Sequence, residues 1–122
     1  MQAPGFPAVA TILLVEDDVH VLAVVREMLE ALGHRVLPAS SGAGAMTLAR
    51  FSTPDIVVVD VVMPGLPSSE LVAALRDAFP QLRVVYISGY AAGDMRPPVL
   101  DADDRYLQKP FSLAQLAQAV GC

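Results

Sequence analysis

An aliphatic run, Ile56-Val57-Val58-Val59, ends in a carboxylate at Asp60 and continues through Val61-Val62-Met63 into a Pro64-Gly65 turn. A short β-branched stretch of this kind reads as a strand buried on both faces, the sort found in a parallel sheet. Burying an ionised carboxylate there costs on the order of several kcal/mol unless a cation or hydrogen bonds compensate it. An Asp at the exit of a central strand is therefore either a turn former or a group held for chemistry. The segment by itself leaves both readings open.

The rest of the chain alternates strand and helix. Thr11-Ile12-Leu13-Leu14-Val15 reads as a first buried strand, followed by Glu16-Asp17-Asp18. Leu22, Val25, Leu29 and Leu32 keep helical spacing from Val19 to Leu32, with Gly33 as a stop. Arg35 to Ala39 is a weaker second strand whose Pro38 suggests an edge position. Ser41 can cap a helix from Gly42 to about Phe51, and Ile56 to Val59 forms strand three. A third helix is expected from about Ser69 to Phe79, a fourth strand from Arg83 to Ser88, a fifth from Tyr106 to Gln108, and a last helix from Ser112 to about Val120. Between strands four and five, Pro97 and Pro98 leave room at most for a short or irregular fourth helix near Pro97 to Asp101. Such a pattern implies a doubly wound parallel α/β sheet with right-handed crossovers and helices on both faces.

Composition bounds the alternatives. At 122 residues and 54% hydrophobic, the chain can bury one core without staples, with residues 1–10 as a flexible leader and 11–122 as a single domain. No apolar run approaches the roughly 18 residues of a membrane span, and Met1 to Pro7 lacks the basic and apolar regions of a secretory signal. The only cysteine, Cys122, excludes an internal disulfide and fits a reducing, cytoplasmic setting. With net charge −5 and no basic cluster, direct nucleic-acid binding and membrane contact are not expected.

Open α/β sheets bind ligands beyond the carboxyl ends of their strands. Glu16 and Asp17 follow strand one, Asp60 ends strand three, Ser88 ends strand four and Lys109 follows strand five, so all fall at one sheet edge. Carboxylates gathered there repel one another and raise one another's pKa, which a divalent cation relieves. Hard oxygen ligands in a partly hydrated site favour Mg²⁺. A metal beside an aspartate, with a lysine and a hydroxyl facing it, suits the acceptance of a phosphoryl group, the aspartate acting as nucleophile.

The chain resembles the receiver domain of two-component response regulators, of the chemotaxis-receiver kind. The matching pieces are Leu13-Leu14-Val15-Glu16-Asp17-Asp18, Asp60-Val61-Val62-Met63-Pro64-Gly65, Ile87-Ser88-Gly89 and Tyr106-Leu107-Gln108-Lys109-Pro110-Phe111, covering about residues 11 to 120. The resemblance implies a flavodoxin-like sheet of strand order 2-1-3-4-5. It implies that Asp60 takes a phosphoryl group from a phosphohistidine on a histidine kinase or histidine phosphotransfer protein. It further implies Mg²⁺ bound by the Asp17 and Asp60 carboxylates, the Val62 carbonyl and, through water, Glu16. Lys109 would pair with Asp60 ahead of a cis Pro110, Ser88 would turn its hydroxyl toward the phosphoryl group, and Tyr106 would act as a rotameric switch.

Plainer roles exist for several of these residues. Asp18 reads as a helix cap rather than a ligand, and Glu16 and Asp17 could merely complement a helix dipole. Ser88 alone could be a turn residue and Tyr106 a core or surface aromatic; His20 and His34 read as solvated. Pro67 and Ser68 replace the acidic residue and glycine that many receivers carry after the Met-Pro-Gly turn. The last helix has no charged residue, which argues for a monomer or weak dimer rather than a charge-paired one. Ser88-Gly89-Tyr90, the proline-broken fourth crossover and the Gln108-Lys109-Pro110-Phe111-Ser112-Leu113 segment look more like receivers of hybrid histidine kinases. The alternative is a Mg²⁺-dependent phosphatase working through an aspartyl phosphate, but such enzymes usually carry Asp-x-Asp after the first strand, and Val62 stands two residues beyond Asp60. An FMN binder would need a phosphate loop where the acidic Glu16-Asp17-Asp18 stands.

Overall fold

The structure is a computed structural model that describes residues 9–63, 67–89 and 104–121. Nine elements follow one another: β1 (Thr11–Val15), α1 (Val19–Ala31), β2 (Arg35–Ala39), α2 (Gly42–Phe51), β3 (Ile56–Asp60), α3 (Ser68–Ala78), β4 (Arg83–Ser88), β5 (Arg105–Gln108) and α4 (Leu113–Val120). The strands form one sheet of order β2-β1-β3-β4-β5, and every pairing is parallel. This is the doubly wound order expected, with β2 and its Pro38 at an edge. The anticipated short fourth helix and the leader up to residue 8 lie outside the described residues.

The side-chain period of a strand sorts the core into two layers. Leu13 and Val15 of β1, Val57 and Val59 of β3, and Val84 and Tyr86 of β4 pack with Ala45 and Ala49 of α2 and Leu71, Val72 and Leu75 of α3. Their neighbours Ile12, Leu14, Ile56, Val58, Val85 and Ile87 pack on the other face with Val25 and Leu29 of α1 and Leu116, Ala119 and Val120 of α4. The central stretches of β1, β3 and β4 are apolar on both faces because each face is covered, which is why the Ile56-Val59 run shows no alternation.

Local chemistry sets where the helices begin and end. Asp18 caps α1 by accepting from the backbone amides of His20 at 2.9 Å and Val21 at 3.2 Å. Gly33 follows that helix with φ +93°, the left-handed geometry that lets a helix stop. Ser41 caps α2, and Ser112 forms a reciprocal capping box with Gln115 at the start of α4. Pro67 precedes α3 without a side-chain cap, so that helix opens at Ser68, one residue earlier than its spacing suggests. Leu32 and Phe79, read from sequence as helical, are instead the C-caps of α1 and α3.

Candidate functional site: an acidic cluster around a shared lysine

The loop residues after three strands are held by one further backbone bond to the neighbouring strand. Glu16 N–H donates to Ala39 O at 3.0 Å, Val61 N–H to Ile87 O at 2.8 Å and Lys109 N–H to Ser88 O at 2.6 Å. The extended ladder therefore fixes the backbone at Glu16, next to Asp60 and at Lys109, and the side chains inherit that rigidity. The Lys109–Pro110 peptide is cis, as the resemblance implied.

Glu16, Asp17 and Asp60 each offer a carboxylate oxygen, and these atoms lie within 4.8 Å of one another. Glu16 and Asp60 are buried while Asp17 is exposed. Lys109 reaches into the cluster, its Nζ standing 2.6 Å from Glu16 Oε1 and 3.1 Å from Asp60 Oδ2. The other oxygen, Asp60 Oδ1, accepts from the backbone N–H of Val62 at 2.9 Å. Glu16 Oε2 accepts from Asp18 N–H at 3.3 Å. The Asp60 carboxylate is thus oriented by one amide and one ammonium.

The charges do not balance. Burial, then the neighbouring Asp60, push the Glu16 carboxyl up to about 7, although Lys109 and the Asp18 amide pull the other way. Burial alone would pull the Lys109 ammonium down, but its bonds to Glu16 and Asp60 outweigh that and leave it above its ordinary value. One cation serves three acids. A donor set of hard carboxylate oxygens with a charge surplus fits a divalent cation such as Mg²⁺ in size and charge, and water can complete its shell from the exposed Asp17 side.

The other sequence candidates are placed less centrally. Ser88 is fully buried at the end of β4, beside Asp60 and Ile87 in the strand ladder, with its hydroxyl donating to Gly89 O at 3.4 Å. Tyr106 pairs in register with Tyr86 and is 37% exposed on the edge strand. Asp18 caps the helix as read. His34 departs from its reading as solvated: it is half-buried, and its Nδ1 accepts from Ala10 N–H at 3.1 Å. Two contributions escaped the sequence, the direct Glu16–Lys109 pair and the Val62 amide on Asp60. A glutamate is one methylene longer than an aspartate, which is the signal that could have pointed to its reach.

The sequence profile of the response regulator receiver domain matches residues 12–121, and the chain belongs to that family. It is 40% identical over 114 residues to the sensor kinase CckA of Brucella abortus, covering 91% of this chain and 12% of the kinase. It is 38% identical over 110 residues to the transcriptional regulatory protein PrrA of Mycobacterium tuberculosis, covering 89% of this chain and 47% of that protein. The chain thus spans less than half the length of either relative. A response regulator receiver protein from Sinorhizobium medicae superposes with a TM-score of 0.78 at 34% identity, over 92% of this chain and 91% of that one. The chain is a phosphoacceptor signalling domain of the two-component type, and nothing in the fold or the comparisons favours the phosphatase alternative.

Proposed function

We propose that Asp60 is the phosphoacceptor, receiving its phosphoryl group from a phosphohistidine on a histidine kinase or histidine phosphotransfer protein. The carrying observation is the carboxylate cluster built around one shared ammonium, with Asp60 hydrogen-bonded at both oxygens. An Asp60 oxygen would attack phosphorus as the P–N bond to imidazole breaks and the imidazole nitrogen takes back the electron pair. Asp17, Asp60 and the Val62 carbonyl would hold Mg²⁺ directly and Glu16 through water. That ion would neutralise charge on the transferring group. Lys109 sits within reach of the same group and would follow a phosphoryl oxygen once Asp60 carries it as an acyl phosphate.

Ser88 and Tyr106 would carry the response. A Ser88 hydroxyl drawn toward the phosphoryl group vacates space that the neighbouring aromatic ring can fill. The domain would work in the cytoplasm as a monomer or weak dimer, attached to a longer protein of the hybrid-kinase or regulator kind. The identity to a sensor kinase supports the former attachment. No described helix is long and apolar enough to cross a membrane.

The test is mass spectrometry after incubation with acetyl phosphate and Mg²⁺. Wild type should gain one hydroxylamine-sensitive phosphoryl group, and Asp60→Asn none. Full labelling of that variant would remove Asp60 from the role. Ser88→Ala should retain labelling while the Tyr106 ring resonances stop responding to it.

A further inference from the structure

Ser68 opens α3, yet its hydroxyl does not serve that helix. Pro67 is the N-cap of α3, and no side chain caps it. The Ser68 hydroxyl, on a residue only 4% exposed, instead donates back to Val61 O at 3.4 Å. A buried hydroxyl needs a partner, and this one leads straight to the acceptor. The carbonyl of Val61 and the N–H of Val62 belong to one peptide group. That N–H donates at 2.9 Å to Asp60 Oδ1, while the Val61 N–H on the preceding peptide is fixed to Ile87 O at 2.8 Å. The peptide between Val61 and Val62 is therefore held at both ends, by Ser68 at its oxygen and by Asp60 at its nitrogen.

A planar peptide turns as a unit, so any rotation that pulls the carbonyl off Ser68 also swings the Val62 N–H off Asp60. A carbonyl that accepts a hydrogen bond also polarises its peptide and makes the N–H a stronger donor. Ser68 is itself anchored, because Leu71, Val72 and Leu75 of the same helix are buried. We propose that Ser68 is a positioning residue for phosphoryl acceptance, its hydroxyl holding the Val61–Val62 peptide so that the Val62 amide fixes the Asp60 carboxylate. The inference rests on the phosphoacceptor reading above and adds a residue from outside the carboxylate and lysine cluster. Many receivers carry a glycine at this position and have no hydroxyl to offer there, so the clasp belongs to this chain's own sequence.

The test reads the clasp and the chemistry separately. By NMR, Ser68→Ala should move the Val62 amide proton upfield and speed its exchange with solvent about fivefold, the loss expected for one hydrogen bond. With acetyl phosphate at saturating Mg²⁺, the same variant should label about fivefold more slowly at saturating donor. The half-saturating donor concentration should stay unchanged, because Ser68 acts through the acceptor and not on the donor. Ser68→Cys keeps a side chain of similar shape but only a weak donor, so it should follow Ser68→Ala in both readouts. Ser69→Ala, at the exposed neighbour, should change neither. A Val62 resonance unmoved in Ser68→Ala would overturn the proposal. So would a wild-type labelling rate in Ser68→Ala or Ser68→Cys, or a loss confined to the half-saturating concentration. A wild-type protein that acetyl phosphate does not label would instead overturn the phosphoacceptor reading, and this proposal with it, whatever the Val62 resonance does.

Discussion

The two ends of the sheet handle charge in opposite ways. At the amino ends of the strands, Asp55 Oδ2 accepts from Thr11 N–H at 2.8 Å while its own amide donates to Thr11 O at 2.8 Å. Its carbonyl accepts from Arg83 N–H at 3.1 Å. The Arg83 guanidinium donates to the last carbonyls of α4, at Ala119, Val120 and Gly121, where the helix dipole is negative. Asp55 and Arg83 there are both held by fixed backbone partners. At the carboxyl ends, Glu16, Asp17 and Asp60 crowd together, and Glu16 and Asp60 share Lys109. One end pairs its charges locally, whereas the other keeps a surplus of negative charge that a divalent cation can offset.

Substitutions at the surplus end should act on chemistry first. The largest effect belongs to Asp60→Asn, which should abolish labelling altogether, as should excess chelator on wild type. Labelling that survives chelation would show that the carboxylate cluster needs no divalent ion. Lys109→Met comes next. It leaves Glu16 and Asp60 buried beside each other without their cation, so labelling should fall by about a hundredfold or more. Its cost to stability, read from urea midpoints without Mg²⁺, should be about 3 kcal/mol, the low end for a broken buried pair, because Lys109 keeps 22% of its side chain exposed. Near-wild-type labelling and stability would mean that the lysine is a bystander.

Val62 sharpens the comparison from the other direction. It is 41% exposed, two residues beyond Asp60, and its aliphatic side chain offers no hydrogen bond to a water approaching the phosphoryl group. Val62→Asn supplies such a group and should lower the hydrolysis barrier by about one to three kcal/mol, roughly ten- to hundredfold in rate. The decay of the phosphorylated form, followed by mass at fixed Mg²⁺ and pH, decides this. Equal lifetimes would mean that the side chain does not control water access. At the opposite end, Asp55→Ala should cost about 1 kcal/mol of stability for its lost bond to Thr11 and leave labelling unchanged. Impaired labelling there would break the separation between the two ends.

How much of this was legible in the sequence differs along the chain in the same way. The inner strands β1, β3 and β4 were readable because each is a short aliphatic run, and the strand order followed from the family resemblance rather than from spacing. Asp18, Ser41 and Gly33 announced their helix ends through the chemistry of capping. Glu16, Asp17, Asp60 and Lys109 could be assigned to one edge because each directly ends or follows a strand. Their pairing could not be assigned, because it depends on side-chain reach across the edge. The 2.6 Å contact of Lys109 with Glu16, shorter than its contact with Asp60, is set by a glutamate long enough to span from β1. The His34 contact was hidden for a similar reason. It joins residues 24 apart in sequence, and a lone histidine after a helix gives no sign of an acceptor role.

That contact yields the smallest expected effect. His34 is partly buried, and desolvation holds its imidazole below the ordinary value of 6.5. Its Nδ1 can accept from Ala10 N–H only while unprotonated. A group whose folded-state pKa is depressed adds stability that is complete above the unfolded value and is lost as pH falls through the folded value. The His34 contribution should therefore be whole at about pH 7.5 and should shrink from about pH 6.5 downward. Glu16, with its raised pKa, works in the opposite sense over part of that range, so the total curve does not isolate the histidine. His34→Asn does, because an amide oxygen can take the place of Nδ1 as acceptor and does not titrate. The two proteins should have similar urea midpoints at about pH 7.5, with wild type falling below the variant at about pH 5.5. Parallel curves across that interval would show that the Ala10 amide does not depend on the protonation state of His34.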